Sequence, residues 1–183
     1  MELLITVCAR GGSKGIPGKN IRNINGRPLI ALSIDTAKAF AITYAADIAL
    51  STDSIEIKKV ADTFGLKTSY QRPSFLGNDS TGKIDVISDI LNYEELSRNK
   101  KYDYVLDLDV TSPLRSQDDL EFAFSVLQND EQALNLFSVS KANRNPYFNM
   151  VEQQPNGYYG LVKQGFFLTR QTAPDVFDLN ASF

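Results

Sequence analysis

The chain opens on a short apolar run, Leu3–Cys8, that passes directly into a glycine-rich segment, Ala9-Arg10-Gly11-Gly12-Ser13-Lys14-Gly15-Ile16-Pro17-Gly18-Lys19-Asn20. A brief, continuous apolar run of this kind suits a strand buried on both faces. When such a strand ends in glycines and a helix follows, the connecting loop lies beyond the carboxyl end of a parallel sheet, where open α/β sheets bind ligands. This juxtaposition restricts the architecture more than any bulk property of the chain.

The remaining sequence repeats the strand–helix alternation. Pro28 suits the first position of a helix that carries Ile30, Ile34 and Ala37 on one face. Asp47–Ser51 reads as a second strand, and Asp53 with Glu56 as a capping box before the stripe Ile57, Val60, Ala61 and Phe64, which Gly65 ends. Lys67–Tyr70 reads as a third strand, and residues 71–82 as a polar loop. A long helix follows, in which Ile84, Ile87 and Leu91 share a face. Tyr104–Asp109 is expected as a strand ending in acids. Ser116 with Asp119 forms another capping box ahead of Leu120, Ala123, Phe124 and Leu127, and Asn135–Val139 is expected as the last central strand. The pattern predicts an α/β fold: a three-layer, doubly wound, mostly parallel Rossmann-like sheet. After Ser140, Asn145-Pro146, Pro155-Asn156-Gly157 and Gly165 punctuate short aromatic stretches, which predicts hairpins forming an arm or a lid.

Composition removes several kinds of chemistry. The chain has no histidine, which excludes Ser-His-Asp and Cys-His catalysis, imidazole bases and His-ligated metals. Its lone cysteine, Cys8, can form neither an internal disulfide nor a zinc cluster and reads as a small buried hydrophobe. A net charge of −3 gives no electrostatic case for nucleic acid or an anionic membrane as partner. No run approaches the ~18 apolar residues of a membrane span, and no signal peptide is visible, so a cytoplasmic protein is expected.

An anionic ligand must therefore be held by local groups, and the glycine-rich loop supplies them. Its glycines let backbone N–H groups approach a ligand as an anion-binding nest, and Arg10, Lys14 and Lys19 add cations. A triphosphate carries about four negative charges near neutral pH and needs such a set. The competing reading, a flexible surface turn with solvated lysines, accounts less well for three cations placed directly after the first strand. The loop is not a Walker A sequence, since Ser13 replaces the required first glycine and Asn20 stands where Ser or Thr should follow the lysine. Its glycines also lack G-x-G-x-x-G spacing, which disfavours a dinucleotide oxidoreductase.

The same segment resembles the signature of the acylneuraminate cytidylyltransferases, the CMP-sialic acid synthetases. Further matches follow in order: Ser51-Thr52-Asp53, Arg72-Pro73, Thr111-Ser112-Pro113-Leu114-Arg115, Thr169-Arg170-Gln171 and Asn180-Ala181-Ser182. The stretch Arg144-Asn145-Pro146-Tyr147-Phe148-Asn149, and Asp109-Val110 before Thr111, look more like the bacterial legionaminic acid branch. The resemblance implies that the anomeric hydroxyl of a nine-carbon acidic sugar attacks the α-phosphate of CTP, with Mg²⁺ balancing charge. It implies one nucleotidyltransferase domain over 1–183, with a nucleotide-binding core at 1–139 and a hairpin, dimerisation and sugar-binding insertion at 140–178; the hairpin segment suggests a homodimer whose arm reaches the partner's site.

By position, the resemblance assigns Arg10, Ser13, Lys14 and Lys19 to the triphosphate and Gly11 and Gly12 to the nucleotide site, with Arg10, Lys14 and Lys19 in catalysis. It assigns the Ala9 backbone and Arg72 to the cytosine and Asn20 to the ribose, though Arg72 reads equally as a surface arginine before a proline. Arg170, Asn180 and Asn149 match sugar-contacting positions, while Tyr147 and Phe148 read either as pocket wall or as packing. Arg115 is expected to pair with Asp118 and Asp119 rather than with phosphate. Asp109, with Asp107 pointing the same way along the strand, is a candidate Mg²⁺ ligand or a strand-end acid capping nearby N–H groups. The family's C-terminal Asp-x-Asp motif has no counterpart after Arg170, so the end of the family domain is expected to be missing. Two alternatives follow: a CTP-binding module without turnover, and another nucleotidyltransferase or nucleotide-sugar glycosyltransferase on a similar sheet.

Overall fold

The computed structural model describes residues 1–183. In chain order the elements are β1 (Leu3–Cys8), β2 (Asn23–Ile24), β3 (Arg27–Pro28), α1 (Leu29–Tyr44), β4 (Asp47–Ser51), α2 (Ile55–Thr63), α3 (Lys83–Arg98) and β5 (Tyr104–Asp107). Then come α4 (Gln117–Gln128), β6 (Val139–Lys141), β7 (Val151–Gln153), β8 (Tyr159–Leu161) and β9 (Phe177–Leu179). They form two compact units, Met1–Leu136 with Ser182–Phe183, and Phe137–Ala181. No helix is long and apolar enough to cross a membrane.

The first unit is built on a parallel sheet of order β4-β1-β5, with Ile5 in register with Ile48 on one side and Leu106 on the other. Strand alternation sends Leu3, Ile5 and Val7 to one face, against Ile30, Ile34, Ala37 and Phe40 of α1, Ile57 and Ala61 of α2, and Leu120 and Phe124 of α4. Leu4 points to the opposite face and packs with Ala49, Tyr70 and Ile90 of α3. Helices thus cover both faces, as the three-layer expectation requires. Each fully buried Leu, Ile or Phe contributes about 1.5–3 kcal/mol, which is why β1, buried along nearly its whole length, is the centre of the unit. The periodic stripes of α1, α2 and α4 are the buried faces, and Ser116 with Asp119 forms the expected capping box.

Tertiary contacts changed several local expectations. The cap of α2 is Ser54, whose side chain accepts the Ile57 N–H, because Asp53 is engaged elsewhere. Residues 67–70 form no strand: Tyr70 is buried under α3 rather than paired, and its carbonyl accepts from Lys58. In α3 the buried residues are Val86, Ile90 and Glu94, and Ile84 is 72% exposed, so the inward stripe lies one residue earlier than Ile87 and Leu91 suggest. Strand β5 stops at Asp107, leaving Asp109 in the turn beyond it. Asn135–Val139 is not a central strand: only Val139 is extended and paired, in an exposed antiparallel pair with Leu179. An unforeseen Asn25-Gly26 turn joins β2 to β3, both residues adopting positive φ as a two-residue hairpin requires.

The second unit consists of antiparallel pairs, β6 with β9 and β7 with β8, the latter a hairpin as expected. Buried Asn145 organises it. Its carbonyl accepts the N–H groups of Phe148, Asn149 and Met150, its amide donates to the Pro174 carbonyl at 2.9 Å, and its own N–H donates to Asn149 Oδ1 at 2.7 Å.

Candidate active site

A cavity of about 650 Å³ opens at the carboxyl ends of β1 and β5. The glycine-rich loop forms one wall, and residues from 72–83 and 109–111 form the others. The loop is tied down at three points. The Ala9 N–H donates to the Ser51 carbonyl at 2.9 Å, extending the β1–β4 ladder. The Gly11 N–H donates to Asp53 Oδ1 at 2.8 Å, and buried Asn20 closes the loop by donating from Nδ2 to the Arg10 carbonyl at 2.9 Å. Gly18, at φ 64°, holds the left-handed turn that leads into Lys19–Ile21.

Arg10, Ser13, Lys14, Lys19 and Asn20 all line the cavity; Ala9, Gly11 and Gly12 do not. Several loop N–H groups are satisfied internally, Ser13 by the Gly11 carbonyl and Lys19 by the Ile16 carbonyl. The positive character of the wall therefore comes mainly from side chains. Asp79 sits among them: its Oδ1 accepts from Arg10 at 2.5 Å and its Oδ2 pairs with Lys14. Hydrogen bonds from Lys14 and Arg10 hold the Asp79 carboxyl below the usual carboxylate range. A carboxylate already bridges two of the cations assigned to phosphate.

Opposite the loop, Lys83 Nζ lies 2.6 Å from Asp107 Oδ2 and 2.9 Å from Asp109 Oδ2, so both acids do face one point. Burial alone would lower the ammonium's pKa, but Asp107 and Asp109 outweigh it and hold it above the usual lysine value. For Asp109, burial is likewise outweighed, by hydrogen bonds from Thr111 and Lys83, which hold its carboxyl below the ordinary carboxylate value. Arg115 pairs with neither Asp118 nor Asp119. Its buried guanidinium donates to Ser33 Oγ at 2.9 Å and to the Asp109 and Ser182 carbonyls, fixing the turn that carries Asp109. Its role is structural, as expected, but its partners are backbone carbonyls and a hydroxyl.

Arg72 is buried rather than on the surface. It donates from Nε to Ser51 Oγ at 2.9 Å and from Nη2 to the Ser51 carbonyl at 2.7 Å while bordering the cavity. Cys8 also borders the cavity, but burial and Asp107 push its thiol well up, so it is no nucleophile. Nowhere do three or more acidic or cysteine side chains gather as a metal cage.

The remaining candidates belong to the second unit. Arg170 lines a separate concavity of about 430 Å³ with Lys141, Asn145 and Asp175. Asn149 Oδ1 is taken by the Asn145 N–H, and the Asn180 side chain pairs with Ser138 Oγ. Sequence reasoning missed Asp79 and Lys83, since a lone acid in a polar loop and a lysine opening a helix carry no motif. The only available signal was charge within an otherwise uncharged stretch.

Comparison with known proteins agrees with this geometry. The family profile described as Cytidylyltransferase matches residues 4–161. The chain is 43% identical over 184 residues to the post-translational flagellin modification protein B of Campylobacter coli, covering 99% of this chain and 75% of that protein. It is 43% identical over 181 residues to the CMP-N,N'-diacetyllegionaminic acid synthase of Campylobacter jejuni, with the same coverage. Among solved structures, a 4-diphosphocytidyl-2C-methyl-D-erythritol synthase from Anaerococcus prevotii shares the fold, with TM-score 0.58, 16% identity and coverage of 97% of this chain and 68% of the other. A CMP:2-keto-3-deoxy-manno-octonic acid synthetase solved with CTP does so with TM-score 0.54 and 21% identity, over 77% of this chain and 52% of that one. With the loop, the sheet and the cavity in agreement, this chain belongs to the cytidylyltransferase family.

Proposed function

We propose that the chain transfers CMP from CTP to the anomeric hydroxyl of a nonulosonic acid of the legionaminic type. The observation that carries this reading is the cavity itself, which sets Arg10, Lys14 and Lys19 on one wall against the Asp107–Asp109 pair near the other. The relatives named for legionaminic acid at 43% identity and for pseudaminic acid at 36% support the sugar class.

In this reading Arg10, Lys14 and Lys19 hold the polyphosphate, Gly11 and Gly12 keep the loop close to it, and Ser13 donates to it. Asn20, held on the Arg10 carbonyl, meets the ribose, and Arg72, held on Ser51, meets the cytosine together with the Ala9 backbone. The sugar oxygen forms a bond to the α-phosphorus, the bond to the β-phosphate oxygen breaks, the hydroxyl proton leaves to solvent, and pyrophosphate departs against Arg10 and Lys14. Catalysis rests on alignment and charge neutralisation, which a protein without histidine can supply. Asp109 and Asp107 offer two converging oxygens, a set that fits Mg²⁺, which binds one or two carboxylates and completes its shell with water and phosphate. Bound there, the ion would polarise the phosphoryl oxygen and lower the pKa of the attacking hydroxyl. Arg170, whose planar fork suits a sugar carboxylate, with Asn149 and Asn180, contributes to the sugar site.

The exposed apolar residues of the second unit, among them Phe166, Leu168, Tyr158 and Val151, support a homodimer in which this unit is the arm. The reaction belongs in the cytoplasm. The deciding experiment incubates the protein with CTP, Mg²⁺ and, separately, N,N'-diacetyllegionaminic, N-acetylneuraminic and pseudaminic acids. Pyrophosphate and a CMP-sugar are expected, fastest with the legionaminic acid. Nucleotide binding with no pyrophosphate from any of the three would assign the chain to CTP binding without turnover.

A further inference from the structure

Asp107 and Asp109 are prepared in the same way. On Asp107, Oδ1 accepts the Thr6 hydroxyl at 2.7 Å. On Asp109, Oδ1 accepts both the N–H and the hydroxyl of Thr111 at 2.7 Å. One oxygen of each carboxylate is therefore fixed by the chain, and the other is left to point inward. Both inward oxygens meet on a single atom, Lys83 Nζ. Lys83 opens α3, lines the same cavity as Arg10, Lys14 and Lys19, and keeps 44% of its side-chain surface exposed.

Two carboxylates aimed at one point repel each other unless a cation lies between them. The fold meets that need with an ammonium. A second cation cannot take the same two oxygens while the ammonium stays, because the two positive charges would then oppose each other at contact distance. Lysine suits a temporary occupant better than arginine would. It is a compact charge with rotatable donors on a flexible four-carbon stem, and its partial exposure leaves the stem room to swing.

We propose that Lys83 is the resident counter-cation of the Asp107–Asp109 pair while the site is empty. On loading, it exchanges with the divalent ion that enters with the nucleotide, and its ammonium moves onto the phosphates in the same cavity. The inference rests on the reading of these two acids as metal ligands. It makes Lys83 both a placeholder and a phosphate ligand, and it leads to the expectation that metal and nucleotide load together, the phosphates receiving the ammonium that the ion displaces.

The test uses Mn²⁺ as the probe, followed by the electron paramagnetic resonance signal of the free ion, with no nucleotide present. Lys83→Met keeps the stem and removes the charge, and Lys83→Gln serves if the methionine variant loses its circular dichroism spectrum. Removing the ammonium is expected to tighten Mn²⁺ binding at least tenfold, and adding Asp109→Asn is expected to cancel the gain. The same variant is expected to bind an α,β-methylene analogue of CTP, in the presence of Mn²⁺, about tenfold more weakly than the native protein. Equal Mn²⁺ affinity in native and Lys83 variants, or unchanged analogue affinity, overturns the exchange. If Asp109→Asn alone leaves Mn²⁺-dependent analogue binding intact, the metal assignment itself is wrong and the exchange goes with it.

Discussion

The Gly11 N–H donates to Asp53 Oδ1 over 2.8 Å, and a Cβ built on Gly11 would stand only 2.9 Å from Ser54 Cβ. The first turn of the glycine-rich loop is thus clamped to the start of α2, and only glycine fits the gap. Gly11→Ala must push the loop away from Ser54. It is expected to weaken CTP binding at least tenfold while costing the fold only about 1 kcal/mol. Calorimetric titration alongside thermal melting checks this, and a variant with native affinity shows that the clamp does not shape the site.

Lys14 is the most exposed of the loop cations, with 83% of its side-chain surface in solvent, and its partner is Asp79. Fold stability hardly depends on it, so Lys14→Ala is expected to keep the native melting temperature. Loss of a charge-assisted contact to phosphate, worth about 1.5–3 kcal/mol, corresponds to a roughly tenfold to hundredfold weaker affinity for CTP. Unchanged affinity in this variant refutes the loop assignment.

Asp79 bridges Arg10 and Lys14, and a phosphate bound to either must displace it. Asp79→Asn removes the competing anion while preserving the shape of the loop. Inorganic pyrophosphate is expected to bind the variant several-fold more tightly, and product inhibition should rise with it. Weaker pyrophosphate binding would mean that Asp79 orients the cations rather than competing for them.

Arg170 lies beside Lys141 and Asn145, away from the glycine-rich loop in sequence and in a concavity of its own unit. Arg170→Ala is expected to raise the sugar KM at least tenfold and to leave CTP affinity within about twofold, consistent with the loss of one bidentate carboxylate contact. Steady-state kinetics with each substrate varied in turn separates the two effects, and an equal loss for both would remove Arg170 from the sugar site.

Asp47 ties β4 to the end of α3. Its Oδ1 accepts from Arg98 at 2.6 Å, and its Oδ2 accepts from Tyr102 at 2.9 Å and pairs with Lys100. Burial works to raise the Asp47 carboxyl, but hydrogen bonds from Lys100 and Tyr102, with the charge of Arg98, hold it below its ordinary value. A depressed folded-state pKa stabilises the protein above the unfolded value of about 3.9, and the gain is lost as pH falls through the folded value. Asp47→Asn is therefore expected to cost about 1 kcal/mol at neutral pH. The difference should shrink as pH falls below the unfolded value and vanish once it has passed the lower folded one, which melting curves across the acid range would reveal.

Elements whose reasons are local could be read directly from the order of residues. The apolar run of β1, the stripes of α1, α2 and α4, the Ser116–Asp119 capping box and the glycine-rich turn each depend on residues a few positions apart, and each stands where local spacing put it. The loop cations were legible for the same reason, since spacing within one turn keeps them together. Features that depend on partners distant in the chain emerged with the folded arrangement. Tyr70 is buried under α3 instead of extending a strand, Asp53 serves Gly11 instead of its own helix, and Val139 pairs with Leu179 outside the central sheet. Asp79 on Arg10 and Lys83 on the two strand-end acids belong to this second kind. Charges separated by tens of residues meet only because the segment leading into α3 borders the cavity at the ends of β1 and β5, and no local pattern encodes that meeting.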